Sequence, residues 1–187
     1  MKIKTLNIDL VGTKVPDKYN GEAGRYIEDL LRQKGLAIST KRGPDTSVHN
    51  IPIEVKSRDV DSISAETVAT MTPDEILKTP YEESLVCEKF QTQFRVYTKD
   101  NVVIKNILCN FGDHPGVQGI AKSAYENVRE RMKNEGPYGT YYLGNKYAYF
   151  EQTGKSGLSF RFRKGKLEEL EKMAEMKSEF NNLFEEE

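Results

Sequence analysis

The chain is predicted to fold as an α/β protein, with a mixed central β-sheet flanked by helices and a C-terminal hairpin and helix lobe. Short segments rich in β-branched and aromatic residues alternate with segments that carry apolar residues at helical spacing. Gly, Pro, Asn and Asp stand between them as turn signals. A length of 187 residues suits one domain with a sizeable core. We therefore expect a single domain over residues 1–187, with its core at about 20–135 and a second lobe at about 136–187.

Each element follows from a local pattern. The first helix is delimited by Asn20 as a candidate N-cap and Gly35 as a stop, and the later long helix ends at Gly136-Pro137. In chain order, the predicted elements are an opening strand or arm over 3–11, a helix over 21–34, a strand over 50–56, a short helix over 73–78 among loops from 57 to 80, hairpin strands over 91–97 and 102–111, a helix over 117–133, strands over 140–150 and 158–162 around turns at 144–145 and 154–157, and a terminal helix over 167–180.

Two carboxylates and an ammonium group lie close together in the sequence. Asp45 follows a Gly-Pro turn signal, and Glu54 and Lys56 lie in the predicted strand that follows. Side chains two residues apart on a strand project from one face, so Glu54 and Lys56 are expected to meet over a cleft while Val55 points into the core. The turn would let Asp45 reach the same place.

This set of residues is suited to metal-assisted hydrolysis. Two neighbouring carboxylates repel each other unless a cation holds them together. Mg²⁺ takes oxygen ligands and keeps several waters, and a nearby lysine can orient one of those waters. The sequence thus indicates a metal-dependent nuclease. The alternative interpretation is a surface hairpin with an ordinary Glu/Lys pair.

A third carboxylate comes from the first predicted helix. Glu28 follows Ile27 at the margin of the apolar stripe, where a side chain can reach an adjoining cleft. The alternative role for Glu28 is a solvated ion pair with Arg25 or Arg32. Glu22 competes with Glu28 for the position of the helical carboxylate.

Taken together, a helical Glu, a Pro-Asp and a Glu-x-Lys resemble the PD-(D/E)xK nuclease superfamily of restriction and repair enzymes. More narrowly, residues 21–31 (GEAGRYIEDLL) and 50–56 (NIPIEVK) resemble the MutH-type nicking and restriction endonucleases. That group pairs a Gly-x-x-Gly-x-x-Ile/Leu-Glu helix with an apolar Glu-Leu-Lys strand. Here Val55 replaces the Leu, and the span between Glu28 and Asp45 is longer.

The resemblance implies a restriction-endonuclease-like core and assigns roles to the matching residues. Glu28, Asp45, Glu54 and the Val55 carbonyl correspond to ligands of one or two Mg²⁺ ions, and Mn²⁺ is expected to substitute. Asp45 and Glu54 are also catalytic positions, together with the catalytic lysine Lys56. The expected activity is endonucleolytic hydrolysis of double-stranded DNA, either restriction-like or MutH-like.

A basic and aromatic block near the C-terminus is the expected DNA-contacting surface. The chain carries a net charge of only −1, but residues 138–166 hold six basic residues and one acidic residue, interleaved with eight aromatic ones. A local patch of this kind supplies phosphate contacts. The candidate DNA-binding residues are Lys155, Arg161, Arg163 and Lys164. Strand alternation alone also predicts Phe160 and Phe162 in the core with the arginines on a solvated face, and both descriptions can hold at once.

The remaining expectations concern the compartment, the partners and the alternative functions. No apolar run approaches membrane-spanning length, and Cys87 and Cys109 suit buried thiols in a reducing compartment, so a cytoplasmic enzyme without a membrane partner is expected. The chain could act as a homodimer that makes double-strand breaks or as a monomer that nicks. Two alternatives stay open: a structure-selective repair or junction nuclease, and a non-catalytic DNA-binding module with a structural metal.

Overall fold

The computed structural model describes residues 8–19, 21–48, 50–62 and 64–174. They fold as a mixed α/β protein with two four-stranded sheets and flanking helices, which confirms the predicted class. In chain order the helices and strands are α1 (Ala23–Gln33), β1 (Thr46–Val48), β2 (Ile51–Asp59), β3 (Glu66–Met71), α2 (Pro73–Lys78), α3 (Leu85–Lys89), β4 (Thr92–Lys99), β5 (Val102–Asn110), α4 (Pro115–Glu135), β6 (Tyr141–Leu143), β7 (Ala148–Thr153), β8 (Gly157–Phe162) and α5 (Lys166–Ala174).

The chain divides into two compact units. The first contains the described residues up to 62 together with Thr92–Asn110, and the second contains the described residues from 64 to Gln91 and Phe111–Ala174. This division differs from the predicted boundary near residue 135, because residues 64–91 and 111–135 belong with the C-terminal strands. No helix among the described residues is long and apolar enough to cross a membrane.

The first unit is built on the sheet β1-β2-β4-β5. Strand β2 is antiparallel to β1 and parallel to β4, and β4 forms an antiparallel hairpin with β5. One face of this sheet is apolar and packs with α1 in a core that includes Ile27, Leu31, Ile53, Val55 and Phe94. Burial of these side chains stabilises the helix against the strand that carries the Glu-x-Lys motif.

Helix α1 ends as its sequence predicts. Gly35 has a positive φ of 96°, and the Leu36 N–H donates to the Leu31 carbonyl at 3.0 Å, which closes the C-terminus. At the other end, the N-cap is Glu22 rather than the expected Asn20, which lies outside the described residues. Of the expected strand over 3–11, only residues 8–11 are described, and they are not in a strand. Ile8 and Leu10 instead bury their side chains in the core.

The second unit is built on the all-antiparallel sheet β3-β8-β7-β6. Phe150, Phe160 and Phe162 are fully buried on one of its faces, and the Tyr125 ring of α4 lies 5.9 Å from the Phe150 ring. Strand β3 falls in the segment that was expected to form loops from 57 to 80. That expectation was wrong because β3 is stabilised by a partner, β8, that lies about 90 residues away in the sequence.

Candidate active site

The β1–β2 hairpin brings Asp45 next to the part of β2 that carries Glu54 and Val55. Its register pairs Thr46 with Ile53, so Asp45 directly precedes β1 while Glu54 directly follows Ile53 on β2. The Asp45 side chain is fixed in this place, because its Oδ2 accepts a hydrogen bond of 2.8 Å from the Val55 N–H.

Glu54 and Lys56 form an ion pair on one face of β2. The Lys56 Nζ lies 3.9 Å from the Glu54 Oε2, and the two side chains are 21% and 2% exposed. Val55, between them, contributes to the hydrophobic core on the other face. The alternation predicted for this strand is therefore observed. It holds the buried Glu54 carboxylate beside the Lys56 ammonium group.

Glu28 interacts electrostatically with two other residues of this site, Asp45 and Lys56. Burial, followed by the charge of Asp45, raises the pKa of the partly buried Glu28 carboxyl, while Arg32 and Lys56 lower it. A carboxylate destabilised by a second carboxylate is the arrangement that a bound cation relieves. Glu28 thus lies within electrostatic reach of Asp45 and Lys56.

Glu22, the competing carboxylate, has different surroundings. Its Oε2 lies 3.0 Å from the Arg25 Nη1, and both side chains are more than half exposed. Such a surface pair on one helix contributes little energy and points to no ligand. The choice of Glu28 rather than Glu22 as the helical member of the set stays a prediction.

A layer of polar residues on β4, which sequence reasoning missed, lies beside the Glu-x-Lys strand. The parallel register pairs Gln93 with Glu54 and Arg95 with Lys56, so these side chains share a face. Gln93 and Arg95 are fully buried. The Arg95 guanidinium donates to the Gln93 Oε1 at 2.9 Å and to the Tyr97 hydroxyl at 3.1 Å.

The polar layer fixes a second cation next to Lys56. A guanidinium held by two neutral acceptors keeps its position with little freedom to reorient. The alternation of Gln93, Arg95 and Tyr97 with apolar residues was visible in the sequence. What the sequence could not show is that the polar face of this strand is as buried as its apolar face.

The donor chemistry of the site fits a hard divalent cation. Glu28, Asp45 and Glu54 offer carboxylate oxygens and Val55 offers a carbonyl oxygen, which are the ligand types that Mg²⁺ takes. Within the ranges described, however, no group of three or more His, Cys, Asp or Glu side chains is close enough to hold a metal ion. Among the described residues, the three carboxylates therefore do not form a preassembled metal site.

The candidate DNA-binding residues lie in the second unit. Arg161 and Arg163 on and after β8 share the face opposite the buried phenylalanines, as strand alternation predicts. Arg161 forms an ion pair of 3.4 Å with Glu151. Arg163 and Lys164 line a common recess, whereas Lys155 lies in the β7–β8 turn and lines a different one. The structure thus groups Arg163 with Lys164 and separates Lys155.

Comparisons with known proteins add no identification to this geometry. A scan against models of protein families and a search of curated proteins each found no match. The resemblance to PD-(D/E)xK nucleases stays a prediction carried by about residues 21–58.

Proposed function

We propose that this protein is a Mg²⁺-dependent DNA endonuclease that hydrolyses phosphodiester bonds. One observation carries the proposal: the Asp45 carboxylate accepts a hydrogen bond of 2.8 Å from the N–H of Val55, the residue after Glu54, and the Lys56 ammonium lies 3.9 Å from Glu54. Acidic side chains concentrated beside a lysine suit the transfer of a phosphoryl group to water better than they suit binding alone. The pKa of Glu28, raised in part by Asp45, supports the inclusion of Glu28 in the same set.

In this proposal, Glu28, Asp45, Glu54 and the Val55 carbonyl hold one or two Mg²⁺ ions. When bound, the ion supplies an acidified water and neutralises charge on the scissile phosphate. The hydrogen bond from the Val55 N–H holds Asp45 in position before any ligand arrives. The site therefore loses little entropy on ordering when substrate binds.

Lys56 has the role of catalytic lysine. Its ammonium can donate hydrogen bonds to the attacking water and to the phosphate oxygen on which charge grows in the transition state. Glu54 holds Lys56 in the same face of β2, and the Arg95 guanidinium on the adjacent strand keeps that face cationic. Arg95 is a positioning residue in this account.

The substrate of the proposed enzyme is double-stranded DNA. Lys155, Arg161, Arg163 and Lys164 are proposed to contact its phosphates, and such contacts weaken steeply with salt. Cleavage that leaves a 5′-phosphate and a 3′-hydroxyl is the expected outcome. Recognition of a defined base sequence is the expected mode of specificity.

A plasmid digest tests this proposal. Supercoiled plasmid is incubated with the purified full-length protein in Mg²⁺, in Mn²⁺ and in excess chelator, and the product ends are sequenced. Discrete cut sites in Mg²⁺ and Mn²⁺, with intact plasmid in chelator, are expected. Intact plasmid under all three conditions, on methylated and unmethylated DNA alike, would contradict the proposal.

The same digest separates the two modes of cleavage. A homodimer has two symmetric sites and favours palindromic cut sites and linear product, whereas a monomer yields nicked circles. Sedimentation of the free protein, together with the ratio of nicked to linear product, therefore decides between a restriction-like and a nicking enzyme.

A further inference from the structure

The outward face of the second sheet carries an open recess with a volume of about 410 Å³, lined by Ala65, Tyr141, Tyr149, Glu151, Arg163 and Lys164. The β6–β7–β8 register explains its composition, because Tyr141 pairs with Glu151 and Tyr149 pairs with Arg161. The core of the second unit lies on the other face of the same strands. These tyrosines therefore do not fill that core.

Two aromatic rings form one wall of the recess. The centroids of Tyr141 and Tyr149 lie 5.2 Å apart with an interplanar angle of 33°. Tyr141 is 48% exposed, which is high for a large aromatic residue within a strand. Exposed aromatic rings on a sheet face are what unpaired bases stack on, since every base has a π-face.

Cations lie over and beside these rings. The Arg163 guanidinium lies 5.6 Å from the centroid of Tyr149 and donates a hydrogen bond of 3.0 Å to the Tyr141 hydroxyl. These two contacts hold Arg163 at the rim, and the exposed Lys164 follows it. A planar guanidinium beside aromatic rings can bind a phosphate with its outer edge while its face stays on the ring.

One acid completes the recess. Glu151 forms an ion pair with Arg161, which keeps its carboxylate directed along the sheet face. A carboxylate at this place can accept a hydrogen bond from the exocyclic amino group of a base. The recess thus combines a stacking wall, a cationic rim and a base-edge acceptor.

We propose that this recess binds one unpaired nucleotide of a nucleic acid strand. The base lies against Tyr141 and Tyr149, and Arg163 and Lys164 contact its phosphate. The identity of the ligand as DNA rests on the proposed endonuclease function, while the stacking site itself does not. The nucleotide can come from a single-stranded segment or from a base extruded from a duplex.

Fluorescence anisotropy of the full-length protein in excess chelator tests this inference without cleavage. The probes are a labelled single-stranded oligonucleotide, the same sequence as a perfect duplex, that duplex with one bulged nucleotide, and the single strand with abasic residues. Binding is expected to be tighter to the single strand than to its abasic analogue. The bulged and perfect duplexes identify the source, because tighter binding to the bulge indicates that an extruded base enters the recess.

Ring deletion supplies the decisive variants. Tyr141→Ala and Tyr149→Ala are each expected to weaken binding of the single strand about tenfold. The loss on the abasic strand should be much smaller, because there each variant removes only one contact that holds Arg163. Tyr141→Phe keeps the ring and should stay within about twofold of the wild type. Tyr138→Ala is the matched control, because Tyr138 is 93% exposed in the same unit but does not line this recess.

The outcomes separate this inference from the proposed function. Equal binding of the single strand by wild type and both ring variants, or equal losses on the abasic strand, would overturn it. Heparin could also bind as tightly as the single strand, with no effect of ring deletion. That result would likewise overturn the inference, because the recess would then be a general polyanion site. A protein that shows the ring dependence but cuts no DNA in Mg²⁺ would instead contradict the endonuclease proposal alone.

Discussion

The polar faces of the two sheets differ in burial. In the first sheet the polar face is buried, with Glu54 and Arg95 at 2% and 1% exposure. In the second sheet the core face is filled by phenylalanines, and the polar face exposes tyrosines and arginines. Buried charges require fixed partners and suit chemistry, whereas exposed rings and cations suit a ligand that brings its own charge.

The difference also concerns rigidity. The charged groups of the first sheet are fixed by contacts within the unit, such as the hydrogen bond from the Val55 N–H to Asp45 and those from Arg95 to Gln93 and Tyr97. On the second sheet, Lys164 is exposed and Arg163 is held at the rim by two tyrosines. We therefore expect substitutions in the first sheet to change the rate of cleavage, and those in the second to change affinity and salt dependence.

The largest effect is expected for Asp45→Asn. Loss of one carboxylate oxygen as a ligand should reduce the cleavage rate at least about ten-thousandfold, because both the ion and the acidified water depend on it. Binding of a single strand by the second sheet should persist. Single-turnover cleavage and anisotropy measure the two properties separately. Glu22→Gln is the matched control and should cleave within about twofold of the wild type.

Lys56→Ala should lower the single-turnover rate about 10²–10³-fold, since it removes one donor to the transition state. The affinity for DNA should change little. Lys164→Ala provides the contrast on the second sheet, because it should leave the rate at saturating DNA unchanged. It should reduce the slope of the logarithm of the binding constant against the logarithm of the salt concentration by about one. An unchanged rate for Lys56→Ala would leave Lys56 with a purely structural role.

Arg95→Lys keeps the charge of the polar layer but loses the two hydrogen bonds that the guanidinium donates to Gln93 and Tyr97. We expect kcat to fall about tenfold with KM for DNA unchanged, and the free energy of unfolding to fall by about 2 kcal/mol. Urea denaturation and steady-state kinetics measure these effects. A loss of stability with kcat unchanged would show that Arg95 only supports the fold.

The smallest effect is expected for Glu28→Gln on stability. Because the folded protein raises the pKa of Glu28, its ionised form is disfavoured, and stability from this group is lost as pH rises through that raised pKa. The Gln variant should therefore melt slightly higher than wild type at neutral pH without metal.

With added Mg²⁺, the wild type should instead melt at a higher temperature than Glu28→Gln. At about ten times its Kd, a bound ion stabilises the wild type by about 1.4 kcal/mol, or about 3 °C in Tm, and this increment should shrink in Glu28→Gln. Thermal melts with and without Mg²⁺ test this prediction. Equal increments in both proteins would remove Glu28 from the metal site.

How much of this could be predicted from the sequence depends on the range of the interactions. Helix α1, strand β2 and the β4–β5 hairpin follow local patterns of apolar spacing and turn residues, and Asp100 and Asn101 adopt the positive φ angles that their turn requires. Strand β3 depends on pairing with β8 and was missed. The split into two units also depends on such long-range pairing, since residues 64–91 join strands from the far end of the chain.

The residues of the candidate site likewise divide into those with a local sequence signal and those whose positions depend on long-range pairing. Glu54 and Lys56 are related by local alternation, and the turn before β1 delivers Asp45, so these three residues were predictable. The Gln93 and Arg95 layer lies on a strand that pairs with β2 across more than 30 residues, and its burial has no local signal. The recess at Tyr141 and Tyr149 was visible only as an aromatic and basic composition.

The most direct test of the central claim is the single-turnover cleavage of one plasmid by wild type and by Glu54→Gln across a titration of Mg²⁺. The claim that Glu28, Asp45 and Glu54 hold a cation beside Lys56 predicts a rate that rises and saturates with Mg²⁺ for the wild type. For Glu54→Gln, equally folded, it predicts a rate that stays at background. Equal cleavage by the two proteins would contradict it.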